Sequence, residues 1–67
     1  MKLEDIKIGE IYVYINDDYP RLNGQKLIAY RYYHFVDSHT SVVFMSNDGN
    51  EWFVSCQYIH EVNDEVI

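Results

Sequence analysis

The stretch VVFMSNDGNEWFVS, residues 42–55, decides the fold of this chain. Two apolar runs flank the dipeptide Asp48-Gly49, which favours a two-residue type I′ turn because both central positions require positive φ. A turn of this length predicts a β-hairpin in which Met45 lies opposite Trp52.

The predicted hairpin has two different faces, because side chains alternate along a strand. The expected core face consists of Val43, Met45, Trp52 and Val54. The other face, expected to be partly solvated, consists of Val42, Phe44, Phe53 and Ser55. We therefore expect Trp52 to be largely buried.

Upstream of the hairpin, two further strands are predicted. Residues 10–16 alternate isoleucine and valine with tyrosine, so this strand has apolar groups on both faces. Residues 26–36 are rich in aromatic side chains, which favours one long, bent strand with a bulge near residues 31–33. Residues 17–24 form the long loop between the two strands, where Pro20 excludes a central strand.

Downstream of the hairpin, the chain closes with short elements. Residues 56–59 lack alternation and predict one 3-10 turn. Residues 60–62 predict a short last strand, and residues 63–67 an acidic tail that frays. The polar residues 37–40 predict a turn before the hairpin. No linker or repeat interrupts the sequence, so residues 1–67 are expected to form a single domain.

Composition limits how this domain is stabilised and what it binds. Cys56 is the only cysteine, so an internal disulfide is impossible, and the aromatic residues, 16% of the chain, must supply much of the core. The lone thiol and the polar amino terminus predict a cytoplasmic protein with no membrane contact. The net charge of −6 disfavours direct nucleic-acid binding and favours a basic partner.

Residues with catalytic or metal-binding chemistry are sparse. Zinc needs three or four converging ligands, whereas the sequence offers only loose pairs such as Cys56 with His60. A Cys56 nucleophile would need an orienting group and an oxyanion site, and no motif supplies them. Asp17 and Asp18 are neighbours in a loop and point in different directions. We expect no enzyme activity, no cofactor and no metal site.

Several short segments resemble SH3-like domains. Tyr14 with DDYP, residues 17–20, is similar to the acidic, tyrosine-bearing first loop of peptide-binding SH3 domains. SCQYI, residues 55–59, resembles their turn before the last strand, and EWF, residues 51–53, resembles their tryptophan pair. IGEIY, residues 8–12, is similar to the opening of small SH3-like barrels in translation factors and phage-encoded proteins.

The resemblance implies an all-β, five-stranded SH3-like barrel with a long first loop and a 3-10 turn before the last strand. The order of motifs departs from true SH3 domains. In those domains another hairpin separates the tryptophan pair from the tyrosine turn, whereas the two are adjacent in this chain. A polyproline-binding groove is therefore not implied.

Surface tyrosines and acidic groups are the candidate binding residues. The tyrosines of so small a barrel cannot all be buried with hydroxyl partners, and exposed tyrosines are enriched in interfaces. Pairing of the first and last strands would bring Glu10 near Glu61 and create an acidic patch. The expected partner-binding residues are Tyr12, Tyr14, Asp17, Asp18, Tyr19, Pro20, Glu61, Asp64 and Glu65.

These features predict a non-enzymatic module that docks an acidic and aromatic surface on another, basic protein. One specific form is a phage or mobile-element inhibitor that occupies the nucleic-acid groove of a host enzyme. One alternative is a nucleic-acid- or ribosome-associated SH3-like barrel, and another is a structural subunit of a larger assembly. A homodimer would supplement the small core.

Overall fold

The computed structural model describes residues 1–34 and 40–62. Within these residues the chain is all-β, as predicted, and no helix is long and apolar enough to cross a membrane. The strands are β1 (Ile11–Tyr14), β2 (Lys26–His34), β3 (Thr40–Met45), β4 (Glu51–Trp52) and β5 (Ile59–Glu61). Two 3-10 turns cover Leu3–Asp5 and Cys56–Tyr58, the second in the predicted place.

All five strands form one antiparallel sheet in the order β4-β3-β2-β1-β5. The first and last strands are neighbours, with Tyr12 opposite Glu61, which confirms the predicted pairing of the chain ends. β4 and β5 lie at the two edges of the sheet. The tail from residue 63 onwards and the turn at residues 37–39 lie outside the described residues.

The hairpin between β3 and β4 forms where predicted, but its register was predicted wrongly. Phe44 lies opposite Trp52, and Met45 lies opposite Glu51. The loop has three residues instead of two, because the Gly49 N–H donates to Ser46 O and the Ser46 N–H donates to Asn50 O, both at 2.9 Å. Gly49 alone supplies the positive φ, at 89°, as in a type I turn that ends in a bulge.

The longer loop shifts β3 by one residue relative to β4. The predicted core face was therefore wrong for the residues of β3, Val43 and Met45, which do not share a face with Trp52. Val42 and Phe44 point into the core and are fully buried, whereas Met45 is only half-buried. Trp52 and Val54 pack against the core as expected but remain half-buried. Phe53 is 57% exposed.

The core lies on one face of the sheet. Its buried members are Ile6, Tyr12, Tyr14, Leu22, Leu27, Ala29, Val42, Phe44 and Ile59. β2 carries a bulge between Ala29 and Arg31, at the edge of the predicted region. An extra residue in one strand reverses which side chains face the core beyond that point. Leu27 and Ala29, before the bulge, face the core. Arg31 and Tyr33, after the bulge, face the opposite side of the sheet.

Candidate functional site

The first loop, residues 15–25 between β1 and β2, has an ordered backbone. The Tyr19 N–H donates to Asn16 O at 3.0 Å, and the Gly24 N–H donates to Tyr14 O at 2.7 Å. Leu22 anchors the loop in the core and is only 1% exposed. A loop held in this way loses little conformational freedom on binding, which favours tight association.

This ordered loop displays the residues that the sequence singled out. Asp17, Asp18, Tyr19 and Pro20 are all exposed, which confirms their predicted exposure, while their role in binding stays a prediction. The side chain of Asn16 accepts a hydrogen bond from the Asp18 N–H at 3.0 Å. The two carboxylates are therefore presented from a fixed backbone.

Next to the carboxylates, an aromatic cluster connects the loop to the sheet. The ring of Tyr19 contacts the rings of Tyr14 and Trp52 edge to face, with centroids 6.4 and 6.2 Å apart. The guanidinium of Arg21 lies over the Trp52 ring at 5.8 Å. We call the exposed part of this region the first-loop surface: Asp17, Asp18, Tyr19, Pro20, Arg21 and Trp52.

Tyr12 and Tyr14 do not belong to this surface, so their prediction as an exposed docking face was wrong. They are 5% and 3% exposed. Both hydroxyls find partners at the rim of the core, which is why two tyrosines can be buried side by side. Tyr12 Oη accepts from the Lys7 N–H, and Tyr14 Oη accepts from Asn16 Nδ2, each at 2.9 Å.

Trp52 is held in place by a polar network that the sequence did not reveal. Its Nε1–H donates to Ser46 Oγ at 2.9 Å, and the Ser46 hydroxyl donates to the Asp48 carboxylate. This bond from Ser46, followed by the bond from the Asn50 backbone N–H, holds the pKa of Asp48 below its ordinary value. The hairpin loop thereby orients the tryptophan of the first-loop surface.

The lowered pKa of Asp48 makes stability depend on pH. A carboxylate with a lowered folded pKa stabilises the protein above the ordinary carboxyl pKa, and the effect is lost as the pH falls through the folded pKa. We expect Asp48→Asn to lower the melting temperature at neutral pH, with the gap to wild type closing as the pH falls below the ordinary carboxyl pKa and through the lowered pKa of the folded state. Asp17→Asn, which removes the same charge outside the network, is the control. A gap that is independent of pH would contradict this linkage.

The chain ends contribute a second acidic region. Glu10 and Glu61 line one cavity of about 320 Å³, together with Asp5 and Lys7, so the predicted proximity of Glu10 and Glu61 is confirmed. Asp64 and Glu65, which were expected to extend this patch, lie outside the described residues.

Metal-binding and nucleophilic groups do not converge in the described part of the chain. Residues 1–34 and 40–62 contain no group of three His, Cys, Asp or Glu residues able to hold a metal ion. Cys56 is half-buried, and this burial raises the pKa of its thiol. A raised pKa keeps the thiol protonated at neutral pH and weakens it as a nucleophile.

Comparisons with known proteins do not assign the chain to a family. Scans against protein-family models, curated proteins and solved structures gave no match.

Proposed function

We propose that this chain is a non-enzymatic protein-binding module that docks on the basic surface of another protein. The observation that carries the proposal is the first-loop surface, where two exposed carboxylates lie beside a partly exposed Tyr19–Trp52 pair on an ordered backbone. Tyrosine and tryptophan are enriched in protein interfaces, and they supply contact area at low entropic cost.

Charge supports a basic partner. The chain has a net charge of −6, and the first-loop surface contains the two carboxylates of Asp17 and Asp18 and one basic residue, Arg21. Complementary charges raise the rate of association and select among partners. In a narrower form of the proposal, the partner is an enzyme whose basic groove normally holds nucleic acid, and the module inhibits it by occupying that groove.

For the architecture we propose an SH3-like barrel. Three features support it: the strand order β4-β3-β2-β1-β5, the bulged β2 and the 3-10 turn directly before β5. A bulge bends a long strand and increases its twist, which would let β2 serve both halves of a curled sheet. The first loop would then project from one side of the barrel as a binding element.

Affinity capture from a lysate of the source cells tests the proposed site. The immobilised wild-type protein is compared with Asp17→Asn/Asp18→Asn, which removes two charges from the first-loop surface. The comparison variant is Glu4→Gln/Asp5→Asn, which removes the same charge from exposed residues of the first 3-10 turn beside the second acidic region and so separates docking through the first loop from docking through the other acidic region. All three proteins should retain the fold, since exposed substitutions change stability by about 0.5 kcal/mol.

We expect a basic protein to be retained by wild type and by the comparison variant, and to be lost or strongly reduced with the first-loop variant. Equal retention by all three proteins would contradict docking through the first loop. Retention of nucleic acid alone, eluted as the salt concentration rises, would contradict the proposal in favour of a nucleic-acid-associated barrel.

A further inference from the structure

The sheet face opposite the core carries a row of apolar side chains. Ile11 of β1 pairs with Ile28 of β2, and Ile28 pairs with Met45 of β3. Residues paired across a sheet project from the same face, and the core-facing Leu27 alternates with Ile28. The row therefore crosses three neighbouring strands on the outer face, over about 10 Å at the usual strand spacing.

This row is open to solvent. Ile11 is 55% exposed, Ile28 is 36% exposed and Met45 is half-buried. The same three residues line a cavity of about 710 Å³, together with Lys26 and Asn47. Contiguous exposed apolar side chains, in contrast to scattered ones, mark surfaces that pack against another molecule.

Next to the row, the outer face has apolar packing of its own. Val43 pairs with Arg31 on this face, and it is fully buried although it does not belong to the core cluster. The rings of Tyr33 and Phe53 meet edge to face at 5.4 Å, and Phe53 is largely exposed. The outer face is therefore a small second layer that is only partly covered by its own side chains.

The charges on this face differ from those of the rest of the chain. Arg31 and Glu51 form an ion pair at 3.2 Å, and Lys26 lies two residues from Ile28, on the same face. These three residues sum to one positive charge, whereas the whole chain carries −6; Glu10 lies at the border, in a cavity shared with Ile11 and Lys26. Two copies can approach through this face without the repulsion that opposes contact elsewhere.

We propose that the outer face is the interface of a homodimer, in which the row Ile11–Ile28–Met45 of one copy packs on the same row of the other. Isologous packing requires a self-complementary patch. Glu51 lies beside Met45 and is balanced within each copy by Arg31, so the two rows can meet without an uncompensated carboxylate between them. Such packing adds apolar burial that a domain of 67 residues lacks as a monomer.

Sedimentation velocity over a concentration series tests this interface. The variants are Ile28→Lys, which places a charge in the row, and Tyr32→Lys, which adds the same charge to the same strand. Tyr32 pairs with the core-facing Val42 and is 49% exposed, so it lies off the outer face. Ile11→Lys replaces Ile28→Lys if circular dichroism shows that the latter does not fold.

We expect wild type and Tyr32→Lys to dimerise with rising concentration. The dimer dissociation constant of Ile28→Lys, or of Ile11→Lys in its place, should be at least tenfold higher. Proton and carbon shifts of the Ile11, Ile28 and Met45 side chains should move with concentration in wild type. A wild type that stays monomeric throughout would overturn the proposal. So would equal dimerisation of all variants, or equal loss in Tyr32→Lys and the variant of the row.

Discussion

Phe44→Ala is expected to lower the free energy of unfolding by about 3–5 kcal/mol, the usual cost of emptying a fully buried aromatic site. Phe44 is fully buried and belongs to the core cluster. Since small domains are stable by about 5–15 kcal/mol, this loss should remove a large part of the stability and move the unfolding midpoint to a much lower urea concentration. Urea denaturation followed by the fluorescence of Trp52, the only tryptophan, measures it.

Phe53→Ala is the matched control, because it truncates the same type of side chain at the position directly after the neighbouring strand β4. Phe53 is 57% exposed and makes its ring contact with Tyr33, so we expect a loss of about 1 kcal/mol, the value of one aromatic pair. A two-residue turn would place the two phenylalanines opposite each other on one face. Equal losses in the two variants would favour that register and contradict the three-residue loop.

Tyr14→Ala is also expected to lower the free energy of unfolding by about 3–5 kcal/mol. Its ring is 3% exposed and contacts the rings of Tyr19 and Tyr58. Its hydroxyl also accepts the hydrogen bond from Asn16 at the start of the first loop. The substitution therefore removes core volume and loosens the loop, and thermal unfolding by circular dichroism should show both effects as one large drop in melting temperature.

Tyr32→Ala is the control for this residue type, since Tyr32 is 49% exposed. The free energy of unfolding of this variant should fall by no more than about 1 kcal/mol, as for other surface substitutions. If Tyr14→Ala instead retained wild-type stability and lost only partner binding, Tyr14 would be a docking residue and its assignment to the core would be contradicted.

Sequence patterns were sufficient for the location of the strands but not for their register. Alternating apolar residues, the Asp48-Gly49 signal and the irregular segment at residues 56–59 each correspond to an element of the structure. The register depended on Ser46, whose backbone pairs with Asn50 and whose hydroxyl links Trp52 to Asp48. The Asp48-Gly49 pair fits both a two-residue turn and a three-residue loop with glycine at the left-handed position, and the contacts of Ser46 that accompany the three-residue loop exist only in the folded hairpin.

The candidate surfaces were predictable to different degrees. Polar loop residues such as Asp17 are exposed in most contexts, so the exposure of the first loop was predicted correctly, while its role in binding stays a prediction. The strand β1 is apolar on both faces, and alternation alone does not indicate which face lies in the core. Tyr12 and Tyr14 were therefore assigned to the surface although they are buried. The row through Ile28 depends on the register between β1 and β2 and on that between β2 and β3. It could be recognised only from the paired strands.

The two proposed surfaces are compatible with each other. The first-loop surface packs over the core side of the sheet through Tyr14 and Trp52, whereas the row through Ile28 lies on the opposite face. The groove of the row includes Gly24 and Gln25 at the end of the first loop but none of the first-loop surface, so a dimer through the outer face would leave Asp17, Asp18 and Tyr19 accessible. Two linked copies of the first-loop surface can bind a repetitive or dimeric partner more tightly than one copy.

The most direct test of the central claim is the rate of association with the captured basic protein, measured in a salt series. The first-loop variant Asp17→Asn/Asp18→Asn is compared with the control Glu4→Gln/Asp5→Asn. We predict that the first-loop variant associates several-fold more slowly than the control at low salt and that the difference disappears as salt screens the charges. Identical rates for the two variants at every salt concentration would contradict docking through the first-loop surface.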